Sequence, residues 1–487
     1  MLEKPSKFHL ASFGEKEIYF LSNIYSEGTL AVQGIRSKLI LNEIKYSAPL
    51  LLLYPTKEKL ADIDNLFEVE VKGILELMGR QEAGEIHIPK AYVENSNRTQ
   101  FETSWEECIV EISPCEIYQV HYLKDQIEGT SKKHSIVFCL TENRMLRPWG
   151  IIERSFTGEV KSEFHPRVTL NFADGWIGAF ENHHQYAKAN IEEASGDFSS
   201  SKLVLHLKKE DSSLLSIQDV TTISELVDRL LLYLSFASRQ KTTWVSWSSQ
   251  MATEFVEYYR NIVIPQKISV LEEPLISKRL FQKFSQHCLE YLSCNENLNL
   301  YFPLLYLVSA DNPRKTIESE FLSLFISLEA LLHLYARKLK KTKHFTDDDW
   351  KKIGAHIRRV IKELQCLDSK QKKMMADKIG IFNQTSNRFL YDDFCEVMQV
   401  DNSDLWPLFG NGLTLSKIRN KLIHGIQFDY EPYLTFAKVH LKWIIERCLL
   451  AAIGWVGWGN DSNVDSDTLT KYNPYREWKQ YYCGKEK

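Results

Sequence analysis

The spacing of apolar residues changes near the middle of this chain, and one kind of layer cannot serve both halves. Up to residue 215 the apolar residues fall in short β-branched or aromatic runs: EIYFLSN, GTLAVQG, SKLILNEIK, LFEVEVKGILE, ECIVEI, HSIVFCL, RVTLNF and KLVLHLKK. Such runs, separated by breaks like NIYSEG and NFADGWIG, read as strands. Several alternate apolar and polar residues, which suits sheets with one wet face. The expectation is a β-rich, sandwich or barrel-like N-terminal domain over residues 1–215.

A helical pattern takes over near Thr222. Thr222 and Glu225 fit a capping box, and Ile223, Leu226, Val227, Leu230, Leu231 and Leu234 then recur at helical spacing. Helices are predicted near 252–261, 277–293, 315–341, 347–365, 367–380, 388–398, 414–424 and 433–457. The chain therefore reads as an α+β multidomain protein: residues 1–215, a helical connecting region 216–300, and an all-α domain 301–487. The stretch IPQKISVLEEP (264–274) is the best internal linker, and the boundary falls between 210 and 275. Residues 459–473 read as a polar loop. The aromatic end YNPYREWKQYYCGKEK either docks on the fold or stacks on a base. A length of 487 residues is consistent with two or three domains.

Composition narrows the function classes. Apolar residues make up 44% and charged residues 25%, so a real core is expected. Aromatics reach 12%, which fits large cores or recognition surfaces alike. Net charge is −4, so any contact with nucleic acid must use a local basic patch. The nine cysteines show no C-x-x-C spacing, which predicts reduced thiols rather than disulfides or a zinc ribbon. The N-terminal residues have no apolar h-region, and APLLLLYP and CLLAAIGWVGWG are too short to span a bilayer. A cytoplasmic protein without membrane contact is expected. Motifs of P-loop, dinucleotide-binding, zincin and α/β-hydrolase type are absent from the sequence. His183 and His184 are adjacent, but no third ligand sits at a helpful spacing, so neither a metal nor a cofactor is expected.

Chemistry is suggested most sharply by KIRNKLIHG, residues 417–425. Thr414 suits an N-cap and Gly425 a helix stop. Leu415, Ile418 and Leu422 would line the buried face. Asn420 and His424 are i and i+4, so the amide can orient the imidazole. Arg419 lies about 140° round the helix from His424, a loose site that two copies facing each other would tighten. An imidazole moves protons near neutral pH, and a guanidinium grips phosphate and balances charge developing on it. Together they suffice to activate a ribose 2′-OH against the adjacent phosphate. A second Arg/His pair, Arg337 and His344 in RKLKKTKH, reads instead as a solvated basic helix end.

R-N-K-L-I-H late in an α-helical region resembles the R-x4-6-H motif of HEPN domains, including the polar residue after the arginine. FLSLFISLEALLHLYARK (321–338) resembles the opening helix of that domain, with Glu329 as its acidic residue. The resemblance implies a four- or five-helix bundle that dimerises so that two motifs share a cleft, and a metal-independent endoribonuclease. It implies that Arg419 holds the scissile phosphate and that His424 is general acid or base. Asn420 would orient His424 or contact substrate, and Glu329 would hold Arg419. The length between 347 and 413 departs from the pattern and points to an insertion in the bundle. With its β-rich first half, the layout is similar to ApeA-type anti-phage proteins.

The basic run Arg337–Lys343, followed by Lys351, Lys352, Arg358 and Arg359, is either a solvated helix face or a phosphate track. Lys338, Lys340, Lys341 and Lys421 are the candidate RNA contacts, with a structured RNA such as tRNA as substrate. The expected partners are RNA, a second copy of the chain, and a phage-derived trigger bound by the β-rich domain. The alternative is a non-catalytic dimerisation or binding module in which Arg419 and His424 are structural.

Overall fold

The computed structural model describes residues 15–42, 47–55, 59, 62–63, 66–75, 84–100, 106–122, 133–154, 160–165, 167–184, 201–210, 215–250, 254–260, 274–294, 297–310, 315–425 and 431–455. The chain divides into two compact units. One comprises Met1–Leu234, Thr242–Ile268 and Phe281–Leu289; the other comprises Ser235–Lys241, Ser269–Leu280 and Glu290–Lys487. The expected linker, apart from its last residue, and the aromatic tail lie outside the described residues.

The first unit is an antiparallel β structure. Its opening strands are β1 (Glu15–Ser26), β2 (Thr29–Asn42), β3 (Ser47–Tyr54), β4 (Glu68–Leu75), β5 (Gly84–Gln100) and β6 (Glu106–Pro114). They pair in the order β5-β4-β1-β2-β3-β6, and β6 returns to β5, so the six close into a barrel. Closure removes the free sheet edges that would otherwise recruit other chains. Ile24, Leu39, Leu51, Leu53, Val71 and Ile88 are among its fully buried residues. Glu27 and Gly28 both take positive φ between Ser26 and Thr29, a two-residue turn matched to the strand twist. GTLAVQG and the SKLILN part of SKLILNEIK belong to one strand, β2; residues 43–45 lie outside the described residues. The glycine between them, Gly34, is at φ +66 and accommodates a bulge opposite Asn23, whose Oδ1 accepts from Gly34 N at 3.0 Å.

From β5 the sheet continues through β7 (Glu116–Tyr122), β15 (Glu254–Arg260), β14 (Trp244–Gln250), β8 (Lys133–Leu140), β13 (Ser201–Glu210), β12 (Ile177–His184) and β11 (Thr169–Asn171). A separate hairpin joins β9 (Trp149–Arg154) and β10 (Val160–His165). The outer strand β11 is covered by side-chain amides. Gln282 Oε1 accepts from Thr169 N at 2.7 Å, and Gln286 Oε1 from Asn171 N at 3.0 Å.

Two expectations are corrected here. The helix expected over 252–261 is strand β15, paired on both sides, so residues 216–300 are not wholly helical. Its sequence EFVEYYR fits both periods, and neighbouring strands decide between them. Helix α1 (Ile217–Ser238) also begins earlier than Thr222. Ser216 and Asp219 form the reciprocal cap, at 3.2 Å and 2.9 Å, while Thr222 Oγ1 donates to the Gln218 carbonyl inside the helix. Asp228 holds Arg260 of β15 bidentately at 2.9 and 2.7 Å.

The remaining helices are α2 (Lys278–Ser293), α3 (Tyr301–Ala310), α4 (Ile317–Lys338), α5 (Asp347–Glu363), α6 (Ser369–Lys378), α7 (Asn387–Val397), α8 (Leu415–Ile423) and α9 (Glu431–Ile453). In the second unit α4 packs against α3, α7, α8 and α9. Phe321, Leu324, Leu328, Leu331 and Leu332 form its buried stripe. Helix α9 buries charge as well as leucine. Glu446 is 1% exposed and paired with Arg239, and Arg447 forks onto Asp404 at 2.6 and 3.0 Å. Among the described residues no helix is long and apolar enough to cross a membrane.

His440 of α9 is fully buried, and its Nδ1 accepts from Trp406 N at 3.3 Å. Burial pushes its pKa down from 6.5 to about 4; Asp404 opposes that and Arg447 adds to it. The unfolded chain therefore binds more protons than the folded one in that window. Stability is constant above about pH 6.5 and falls as pH drops toward 4, by roughly 3 kcal/mol at most. Urea unfolding between pH 7 and pH 4 should show this loss, and His440→Gln should flatten it.

Candidate active site

Helix α8 is short, so its position depends on how its ends are fixed. Thr414 Oγ1 accepts from Lys417 N at 3.4 Å, and Leu415 N and Ser416 N donate to the carbonyls of Pro407 and Leu408 at 3.1 Å each. Leu415 and Ile418 are buried. At the other end His424 N donates to the Asn420 carbonyl, and Gly425 N to that of Leu422. Gly425 sits at φ +64, a left-handed stop that a residue with a Cβ resists.

Arg419 lies at the edge of the buried face, with its side chain 32% exposed. Its Nη2 is 3.2 Å from Glu329 Oε1 on α4. Its Nη1 donates to Asn420 Oδ1 at 3.1 Å. Glu329 Oε1 also accepts from Asn387 Nδ2 at 3.1 Å. One carboxylate thus joins α4, α7 and α8, and it faces the arginine toward solvent. A guanidinium has five N–H donors. Among the described residues two of Arg419's are used, which leaves the rest unused.

The structure brings Arg419, Glu329 and Asn420 together. It does not place Asn420 on His424: the amide oxygen turns to Arg419, its immediate neighbour. His424 ends the helix at φ −85, ψ 6, with the residue exposed. Lys421 is exposed on the same helix. The sequence reading missed Asn387. It stood one residue outside the predicted 388–398 helix, just after Ser386, whose hydroxyl caps Phe389 N. A serine N-cap there would have placed Asn387 at the helix start.

The basic run resolves differently from expectation. Lys338, the last residue of α4, and Lys340, just beyond it, are exposed. They lie about 13 Å or more along that helix from Glu329. Lys341 contacts both oxygens of Asp393 at 2.7 Å, and Tyr335 donates to the same carboxylate. Lys341, helped by Tyr335, holds that carboxyl below its ordinary range. Lys341 is thus already neutralised as an RNA contact, and Lys343 pairs with Asp347 at 2.5 Å. His344 packs edge-on against Phe389 with centroids 5.9 Å apart, and its backbone N donates to Asn383. The backbones of His183 and His184 end β12; their side chains lie outside the described residues. Among the described residues no group of His, Cys, Asp and Glu is arranged to hold a metal.

Large apolar residues surround the motif in the sequence of these helices. Ile423 is 50% exposed, Ile326 44%, Phe389 49% and Leu413 40%. Ile326 is three residues before Glu329, hence on the same side of α4.

A pair exposed to this degree adds little stability, on the order of 1 kcal/mol or less. Glu329→Gln should therefore leave thermal unfolding nearly unchanged. Gly425→Val should cost more, roughly 1–2 kcal/mol, because it strains the left-handed stop. Comparison with protein-family models, curated proteins and solved structures returns no match for this chain.

Proposed function

We propose that the chain is a metal-independent endoribonuclease of HEPN type that acts as a homodimer. The observation that carries this reading is the Glu329–Arg419 contact, with Asn387 on the same carboxylate. A guanidinium oriented before substrate arrives stabilises phosphorane charge without reorganising. Arg419 binds the scissile phosphate. His424 takes the 2′-OH proton, or returns one to the departing 5′-oxygen. The 2′-oxygen bonds to phosphorus, the P–O5′ bond breaks, and a 2′,3′-cyclic phosphate results. RNA supplies its own nucleophile, so these side chains suffice.

Assembly supports the same reading. Within one chain His424 is not oriented by Asn420, Ile423 of the motif is exposed, and Ile326, one turn before Glu329, is exposed as well. A second copy covering those residues would bring two motifs together and set the imidazole. The β-rich unit would then act as the sensor or brake of an anti-phage effector, with tRNA or another structured RNA as target. A cleft of about 600 Å³ in that unit, lined by His134, Trp176, Asp219 and Arg229 among others, offers a trigger a place to bind. The second reading, a non-catalytic dimerisation module, is favoured by one fact: the Asn420–His424 bond is not made.

The full chain should be incubated with total RNA in EDTA beside Arg419→Ala and His424→Ala. Cyclic phosphate ends are expected, with each variant reduced about 100-fold or more. A single 2′-deoxy nucleotide at the cut site should abolish cleavage there. Glu329→Gln and Asn387→Ala should lower kcat about tenfold or more while leaving the fold intact. Equal phage protection by wild type and the doubly substituted chain would count against catalysis.

A further inference from the structure

The segment between α4 and α7 is a helical arm with its own neck. His344 N donates to the Asn383 carbonyl at 3.0 Å, and Thr385 N to that of Thr342 at 3.2 Å. Asn383, 3% exposed, closes the neck: its Oδ1 accepts from Phe345 N at 2.8 Å and its Nδ2 donates to the Phe345 carbonyl at 3.2 Å. Beyond the neck α5 runs out and α6 returns. Their shared core is small: Ile361 and Ile379 are buried, Gly354 lies against Ile379, and the half-exposed Phe345 stacks on Trp350 at its edge. Most of both helices faces solvent.

That surface carries an unusual charge. Residues 350–378 hold nine Lys and Arg against three Asp and Glu, a net of +6 in a chain of net −4. The acids of α5 sit in its first turn, where Asp347, Asp348 and Asp349 complement the helix dipole. Past that turn, Lys352, Arg358, Arg359 and Lys362 are exposed before the first carboxylate, Glu363. Among the described residues none of these four forms an ion pair, and neither does Lys373 on α6. Like charges held this close repel one another, so the face is stabilised by an anion.

We propose that this arm is an RNA-binding element that grips the stem of a folded RNA and presents its loop to Arg419. The proposal rests on the ribonuclease reading and names the substrate class for it. Two observations choose a stem. The basic rows run along α5 for about 16 Å and return along α6, a width suited to a duplex backbone. Past its first turn α5 exposes no Phe, Tyr or Trp; the exposed rings of the arm, Phe345 and Phe382, belong to the neck segments and not to the basic row. The aromatic platforms that single strands need are therefore missing from that face. The direction follows from the neck. A single residue, Ser386, separates Thr385, in the neck, from Asn387, which holds Glu329. RNA leaving the arm at its base thus arrives beside the Arg419 contact.

The test is RNA binding by the full chain in a His424→Ala background, which prevents cutting. The arm variant carries Arg358→Gln, Arg359→Gln, Lys362→Gln and Lys373→Gln, which keep helix propensity. The control carries Arg36→Gln, Lys208→Gln, Lys241→Gln and Lys283→Gln, which remove equal charge elsewhere. For a stem–loop RNA, the arm variant should bind at least about tenfold more weakly, with a salt slope shallower by about 3. The control should bind like the parent. A short single strand of the loop sequence should bind all three proteins alike. Unchanged stem–loop binding by the arm variant would overturn the proposal, as would equal losses in arm variant and control. Loss of polyglutamate binding with RNA binding kept would assign the face to an acidic protein partner instead, and also overturn it. None of these outcomes depends on cleavage, so failure of the ribonuclease reading is scored separately by Arg419→Ala.

Discussion

The candidate site depends on one carboxylate. Glu329 lies on α4, a helix otherwise committed to the core, and it is 28% exposed. A carboxylate partly shielded in this way takes protein partners in place of some of its water. It finds Arg419 on α8 and Asn387 on α7, so three helices meet at one oxygen. The contact contributes little stability at this exposure. Its effect is geometric: it removes rotamer freedom from a long side chain and leaves the outer N–H groups free to meet a phosphate.

The support for that geometry extends inward through α9. Arg447 forks onto Asp404 and also donates to the Asp401 carbonyl at 2.8 Å. His440 receives Trp406 N, and the Trp406 indole donates to the Leu413 carbonyl at 2.9 Å. The loop from Asp401 to Thr414 is therefore held along its length by buried polar groups. The first turn of α8 hangs from that loop through Pro407 and Leu408. Breaking one of these contacts would leave a buried polar or charged group without its partner, which disfavours displacement of the loop. A nine-residue helix could not hold Arg419 in place by propensity alone.

How much of this could be read from the sequence varied with the kind of signal. Most helices of the second half are legible within about two residues at their N-terminal ends, because their apolar stripes and caps are local, while the C-terminal ends of α4 and α9 fall three and four residues short of the expected 341 and 457. Thr414 and Gly425 marked α8 correctly for the same reason. Helix α3 escaped notice: YFPLLYLVSA is apolar all round and has Pro303 in its first turn, so it shows no amphipathic period. The β14–β15 hairpin escaped because its pairing partners lie more than a hundred residues away, on β8 and β7. Closure of the barrel by β3 and β6, with Leu51 opposite Ile112, is non-local in the same way. Asn420 was placed on His424 by an i, i+4 argument that holds for ideal helices. The chain instead leaves the helix at His424, and the amide turns to the adjacent guanidinium.

Glu329 also shapes what binding would mean. A phosphate arriving at Arg419 meets a carboxylate already on the far side of the guanidinium. That carboxylate keeps the arginine aimed, but its negative charge weakens the grip on a ground-state phosphate. In the transition state charge accumulates on the non-bridging oxygens, and the same guanidinium gains more from it than from the ground state. Affinity would then have to come from elsewhere in the chain, and under the proposal above the basic face beyond the neck would supply it without carboxylate competition. Separating grip from chemistry in this way would let an RNA be held by its stem, released after cutting, and discriminated by shape. A lone Arg419 and His424 pair offers none of these by itself.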